Sequence, residues 1–109
     1  MKLYIVDDDI SFRVELEMKI GQIGYTLIGK SSSFDHACKD ITTKNPDVII
    51  CDIRLDNSKT GVDLAKEISH LNLPMVFVTA YSDESTYNEI KSVCSNFKYL
   101  VKPFDKLSL

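Results

Sequence analysis

Acidic side chains follow two of the most apolar runs in this chain, and that placement raises a chemical question. Asp7, Asp8 and Asp9 come directly after Leu3-Tyr4-Ile5-Val6, and Asp52 comes directly after Val48-Ile49-Ile50-Cys51. Adjacent carboxylates repel, so a cluster at the end of a buried segment needs a cation, shared protons or open access to water. Two more polar residues stand in the same kind of place. Thr79 follows Met75-Val76-Phe77-Val78, and Lys102 follows the run from Phe97 to Val101.

Several carboxylates, one hydroxyl and one ammonium make a coherent set. Carboxylate oxygens are hard ligands suited to Mg2+, with Mn2+ as a substitute, and such an ion binds one or two of them together with waters and a phosphate. An Asp beside that metal can attack phosphorus and become an aspartyl phosphate. Phosphoryl transfer calls chiefly for charge compensation at the phosphoryl oxygens, which a metal and a Lys would supply, with a Thr hydroxyl as hydrogen-bond donor. A plainer reading applies to the triplet alone, because Asp is a good N-cap and acids suit the start of a helix. Asp9, just before a helical stretch, fits that reading best. His36 and His70 fall in helical stretches away from these strand ends, so Ser-His-Asp or Cys-His catalysis finds little support.

The elements that must position these groups alternate regularly. Leu3 to Val6 reads as a short buried strand, and Ile10 to Ile20 as a helix with Phe12, Leu16 and Ile20 on one face, ended by Gly21 and Gly24. Tyr25 to Gly29 reads as a second strand. Ser31-Ser32-Ser33 leads into a helix over Phe34 to Thr42, with Phe34, Ala37, Cys38 and Ile41 on one face. The turn Asn45-Pro46-Asp47 precedes a third strand, Val48 to Cys51. Val62, Leu64, Ala65 and Ile68 mark a third helix that ends before Pro74, and Met75 to Val78 a fourth strand. Tyr87, Ile90, Val93 and Cys94 mark a fourth helix, and Phe97 to Val101 a fifth strand. Strands alternating with helices predict βαβ units, hence an α/β fold with a parallel sheet covered on both faces. Its functional crevice should lie at the carboxyl ends of the strands. That rule gathers Asp7 to Asp9, Asp52, Thr79 and Lys102 along one edge.

At 109 residues the chain reads as a single domain spanning 1–109. A net charge of -3 argues against nucleic acid as a direct partner. No apolar run approaches the roughly 20 residues of a membrane span, and Met1 leads straight into a strand rather than a signal peptide. Cys38, Cys51 and Cys94 are odd in number and lack a C-x-x-C pattern, so they read as reduced core thiols, which suits the cytoplasm.

Four segments now carry a resemblance: IVDDD, DVIICDIRL followed by TGVDLAKEI, PMVFVTAYSD, and FKYLVKPF. In order and spacing they span nearly the whole chain, which resembles the receiver domain of two-component response regulators. That family has a doubly wound, flavodoxin-like (βα)5 fold with strand order 2-1-3-4-5. The resemblance implies that Asp52 accepts a phosphoryl group from a sensor histidine kinase or a phosphotransfer protein, switching conformation to control an output. It implies that Asp8, with Asp7 through water, holds Mg2+ together with Asp52 and the Arg54 carbonyl. Thr79 and Lys102 would contact phosphoryl oxygens, and Tyr99 would be the aromatic switch that turns inward as Thr79 is drawn to the phosphoryl group. Arg54 and Tyr81 would tune phosphate lifetime, and the Lys102-Pro103 peptide would be cis. From the residues alone, Tyr99 reads equally well as packing in an apolar strand.

Two departures from the family pattern stand out. The acceptor loop, Leu55 to Gly61, is a residue longer than the common form and lacks the frequent Pro. After Lys102-Pro103-Phe104 only five residues remain, too few for a fifth helix. The fifth helix is therefore expected to be truncated or missing. Either the domain is the N-terminal part of a longer response regulator, or something else covers the exposed sheet face, such as a second copy in a homodimer or a swapped contact. Two rivals to the leading reading remain. A haloacid-dehalogenase-type phosphatase would use the D-x-D-x-[ST] pattern of Asp7, Asp9 and Ser11, but leaves Asp52 without a role. A receiver-like interaction module would never be phosphorylated.

Overall fold

Five apolar segments become parallel strands with four α-helices between them: β1 Lys2–Val6, α1 Ile10–Gln22, β2 Thr26–Ser31, α2 Phe34–Lys44, β3 Val48–Asp52, α3 Gly61–Glu67, β4 Met75–Thr79, α4 Glu84–Val93 and β5 Phe97–Val101. The computed structural model describes residues 1–55, 59–79, 84–94 and 96–101. The strand order is β2-β1-β3-β4-β5, as the family resemblance implies. The expected loss of the fifth helix concerns residues 102–109, which lie outside the described residues.

Side chains alternate along each strand, so the apolar runs split between two cores. Tyr4, Val6, Ile49, Cys51, Met75 and Phe77 face one side, under Ala37 and Ile41 of α2, Leu64 and Ala65 of α3, and Ile90 of α4. Leu3, Ile5, Val48, Ile50, Val76 and Val78 face the other, against Leu16 and Ile20 of α1. Both β3 and β4 are buried along their whole length, which is why they read as continuous apolar runs rather than alternating ones.

Element ends differ from the sequence reading by a few residues, each for a local reason. Helix α1 continues through Gly21 to Gln22, and the chain turns at Gly24, whose φ of +84° favours glycine. Helix α2 runs to Lys44 and is closed by Asn45 in the left-handed region. Strand β2 is shifted towards Ser31 because its pairing with β1 slips between Leu3 and Tyr4. After α3 the chain tightens into a 3-10 turn, Ser69–Leu71, before Pro74.

One buried polar group pins the β1–α2 interface. Tyr4 is fully buried, and its hydroxyl donates to Asp40 Oδ2 at 2.8 Å. Burial foremost, then the Asp40 contact, drives the phenol's pKa well above its ordinary value. The same bond, aided by Lys44, holds the Asp40 carboxyl below its usual range. Gly29 makes room for the ring: a Cβ there would lie 2.6 Å from Tyr4 Cε2. No helix among the described residues is long and apolar enough to cross a membrane.

Candidate functional site

The parallel register brings the predicted acids together. Val6 pairs with Cys51, so Asp7 and Asp52 emerge side by side at the carboxyl ends of β1 and β3. Carboxylate oxygens of Asp7, Asp8 and Asp52 all lie within 4.8 Å of one another. Asp7 is 1% exposed and Asp52 8%, whereas Asp8 is open to solvent. Backbone groups hold the two buried acids. The Asp7 amide donates to the Ser31 carbonyl at 3.0 Å, and its Oδ1 accepts from the Asp9 amide at 2.8 Å. Asp52 Oδ1 accepts from the Arg54 amide at 3.1 Å.

Electrostatics register the same crowding. Behind the pair, the fully buried Cys51 thiol is pushed well up, by burial first and then by the negative charges of Asp52 and Asp7. Three hard oxygen donors so close together, two of them on buried side chains, fit a small divalent cation such as Mg2+. A cation there would relieve the repulsion between them.

The loop after Asp52 is tied at both ends. Arg54 and Thr60 form an antiparallel bridge, and the Gly61 amide donates to the Ile53 carbonyl at 2.6 Å. Thr60 caps α3 reciprocally: its hydroxyl accepts from the Asp63 amide at 3.2 Å, and its amide donates to Asp63 Oδ2 at 2.8 Å. A Cβ on Gly61 would run into the Asp52 carbonyl oxygen and come within 3.1 Å of Cys51 Sγ. Glycine is required here by close approach, a constraint the sequence pattern did not reveal.

Thr79, 5% exposed, closes β4 at the same edge, one residue beyond the Val78 that pairs with Asp52. Tyr99 lies on β5 opposite Phe77, half-buried, with its ring 5.7 Å from that of Tyr87 at 86°. Arg54 is exposed, and its backbone lies beside Asp52. Thr79 pairs with Val101, so the next residue in the chain is Lys102. Lys102, Pro103 and Tyr81 lie outside the described residues.

Asp9 stands apart from the acid cluster. Its Oδ1 accepts from the Phe12 amide at 3.2 Å and caps α1, so the geometry does not support Asp9 as a general acid working with Asp7. His36 approaches the end of β2, a strand other than those that carry the acids. Its Nδ1 lies 2.9 Å from Ser31 Oγ, where β2 closes. The short β2–α2 connection places the first turn of α2 at the sheet's carboxyl edge, which helical periodicity by itself could not show.

A doubly wound parallel sheet with three clustered carboxylates, and a buried hydroxyl on the adjacent strand, defines a receiver-type domain. Comparison with known proteins is decisive on this point: the response regulator receiver domain profile matches residues 3–109, and the chain belongs to that family. It is 37% identical over 108 residues to the DNA-binding transcriptional regulator NtrC of Klebsiella pneumoniae, covering 94% of this chain and 22% of that protein. It is 27% identical over 104 residues to the transcriptional regulatory protein PdtaR of Mycobacterium tuberculosis, covering 94% of this chain and 50% of that one. Among solved structures it resembles the receiver domain of a modulated diguanylate cyclase from Desulfovibrio desulfuricans, with a TM-score of 0.85, 28% identity, and coverage of 95% and 82%. It likewise resembles the Vibrio cholerae chemotaxis protein CheY4, with a TM-score of 0.84, 26% identity, and coverage of 95% and 88%. The chain thus spans half or less of the length of these curated relatives.

Proposed function

We propose that this domain is a phospho-accepting signalling switch in which Asp52 receives a phosphoryl group from the phosphohistidine of a histidine kinase or phosphotransfer protein. The observation that carries this reading is the convergence of Asp7, Asp8 and Asp52 within 4.8 Å at the strand ends, beside buried Thr79. An Asp52 carboxylate oxygen attacks phosphorus, the P–N bond to the donor imidazole breaks, and the imidazole leaves with that electron pair. The Arg54 amide, already donating to Asp52 Oδ1, orients the attacking carboxylate. Thr79 donates its hydroxyl to one phosphoryl oxygen, and Lys102 pairs with another. Asp8, Asp7 through water, Asp52 and the Arg54 carbonyl would hold Mg2+, which when bound supplies charge neutralisation for the phosphoryl oxygens.

Once Thr79 is drawn towards the phosphoryl group, Tyr99 turns into the space it leaves, and the balance between two conformations shifts. Arg54 and Tyr81 set how long the phosphoryl group survives. The domain is part of a longer regulator located in the cytoplasm, a reading supported by the greater length of the relatives and by the free thiols.

Incubation with Mg2+ and acetyl phosphate, or with beryllofluoride, tests the proposal. Wild type should take up one equivalent, whereas Asp52→Asn and Asp8→Asn should lose uptake. Uptake by Asp52→Asn at the wild-type level would overturn it. Absence of modification in wild type would point instead to a receiver-like interaction module.

A further inference from the structure

The longer acceptor loop has a structural counterpart outside the acid cluster. Lys59, just before the Thr60 cap, places its Nζ 5.1 Å from the ring centroid of Phe34, the first residue of α2. Phe34 in turn packs on the core that holds Leu55 from the other arm of the loop. Cys38, one turn along α2, senses the same ammonium. Its thiol is pushed up by burial first and by Glu67 and Asp35, and Lys59 opposes the shift. The N-terminus of α2 is itself fixed to the metal side of the site. Ser33 caps α2, its amide donates to Ser31 Oγ at 3.2 Å, and the Ser31 carbonyl receives the Asp7 amide. A continuous path of contacts therefore runs from Asp7 through Ser31, Ser33 and Phe34 to Lys59, and back through the Arg54–Thr60 bridge to Asp52.

We infer that Lys59 and Phe34 form a cation–π clasp that docks the Lys59–Gly61 arm on α2 and keeps Arg54 and Asp52 in register with Asp7 and Asp8. Lys59 is a positioning residue, and its role in metal affinity rests on the function proposed above. In a loop that lacks the frequent Pro, this side contact anchors the arm that leads into Thr60. Cation–π attraction at an exposed site is modest, so the effect is a tuning of the site rather than its creation.

The clasp makes a prediction opposite to that of a bare charge. If Lys59 acted only as a nearby cation, removing it would strengthen Mg2+ binding, because like charges repel. As a clasp it does the reverse. Calorimetric Mg2+ titrations of wild type, Lys59→Met, Phe34→Leu, the double variant and Lys59→Arg separate the two. Each single loss should weaken Mg2+ roughly two- to fivefold, the double variant should be no weaker than the worse single, and Lys59→Arg should restore affinity, since guanidinium also sits on aromatic faces.

A second measurement without metal reads the loop directly: amide hydrogen exchange at Gly61, whose N–H is bonded to the Ile53 carbonyl. Lys59→Met should speed it by a similar factor while Leu16 and Ile20 in α1 exchange at the wild-type rate. Tighter Mg2+ binding by Lys59→Met, or unchanged Gly61 exchange, would overturn the clasp. Failure of wild type to bind Mg2+ would count against the proposed function, and Gly61 exchange would still decide the clasp.

Discussion

Gly61 sits directly behind Asp52, with no room for even one added carbon against the Asp52 carbonyl oxygen. This close approach starts helix α3 against the back of Asp52. Gly61→Ala should therefore push either α3 or the end of β3 aside. Overpacking of this kind costs about 1–3 kcal/mol. Urea denaturation should show a loss of that size, and beryllofluoride uptake should weaken together with stability, because either shift disturbs the backbone that positions Asp52, the proposed acceptor.

Tyr4 and Gly29 form a second matched pair, in which the fully buried ring has no space to yield. Gly29→Ala should destabilise by about 1–3 kcal/mol through overpacking. In Tyr4→Leu the smaller side chain should remove most of that penalty, so the double variant should be less destabilised than the sum of the singles. Additive losses in thermal denaturation would mean that the two positions do not share the space.

Asp9 and Asp8 are neighbours with separable roles. Loss of the N-cap in Asp9→Ala should cost about 1 kcal/mol of stability. Mg2+ affinity should stay close to wild type, because the Asp9 contact to Asp7 is made by the backbone amide. Asp8→Asn, in an exposed carboxylate, should leave stability nearly unchanged and lose Mg2+ binding. Calorimetry paired with thermal denaturation distinguishes them.

Alkaline pH should destabilise the fold. Burial raises the Cys51 thiol above its ordinary value of 9.0, and Tyr4 above its ordinary value of 10.0. In the unfolded chain both groups ionise near their ordinary values, while the native state keeps its protons. The unfolded state then binds fewer protons, so stability is complete below pH 9 and falls as pH rises, by about 1.4 kcal/mol per pH unit for each group. Tyr4→Phe should remove the steeper part of the decline above pH 10, measured by urea denaturation across pH 8 to 11.

Much of this architecture can be read from short windows of sequence. The apolar runs at Leu3, Val48 and Met75 mark strands because a segment buried on both faces cannot afford polar positions. Since all strands of a parallel sheet run the same way, whatever follows each run falls on one edge. Asp7, Asp8, Asp52 and Thr79 could thus be grouped from order alone. Asp9 as a helix cap is a local hydrogen bond, equally visible in the chain.

Contacts between elements were not visible, because they depend on register and on how side chains fill space. Nothing in the spacing of Tyr4, Gly29 and Asp40 announces that one ring meets all three elements. Nor does the pattern at Ser31 show that its carbonyl holds Asp7 while its hydroxyl meets His36. The sequence by itself determined the strands, their shared edge and the acids that line it, because periodicity and chain direction are local properties. Only the tertiary structure decided the closeness of Gly61 to Asp52 and of Lys59 to Phe34. Those pairs are set by the packing of whole helices on the sheet, which periodicity along the chain does not encode.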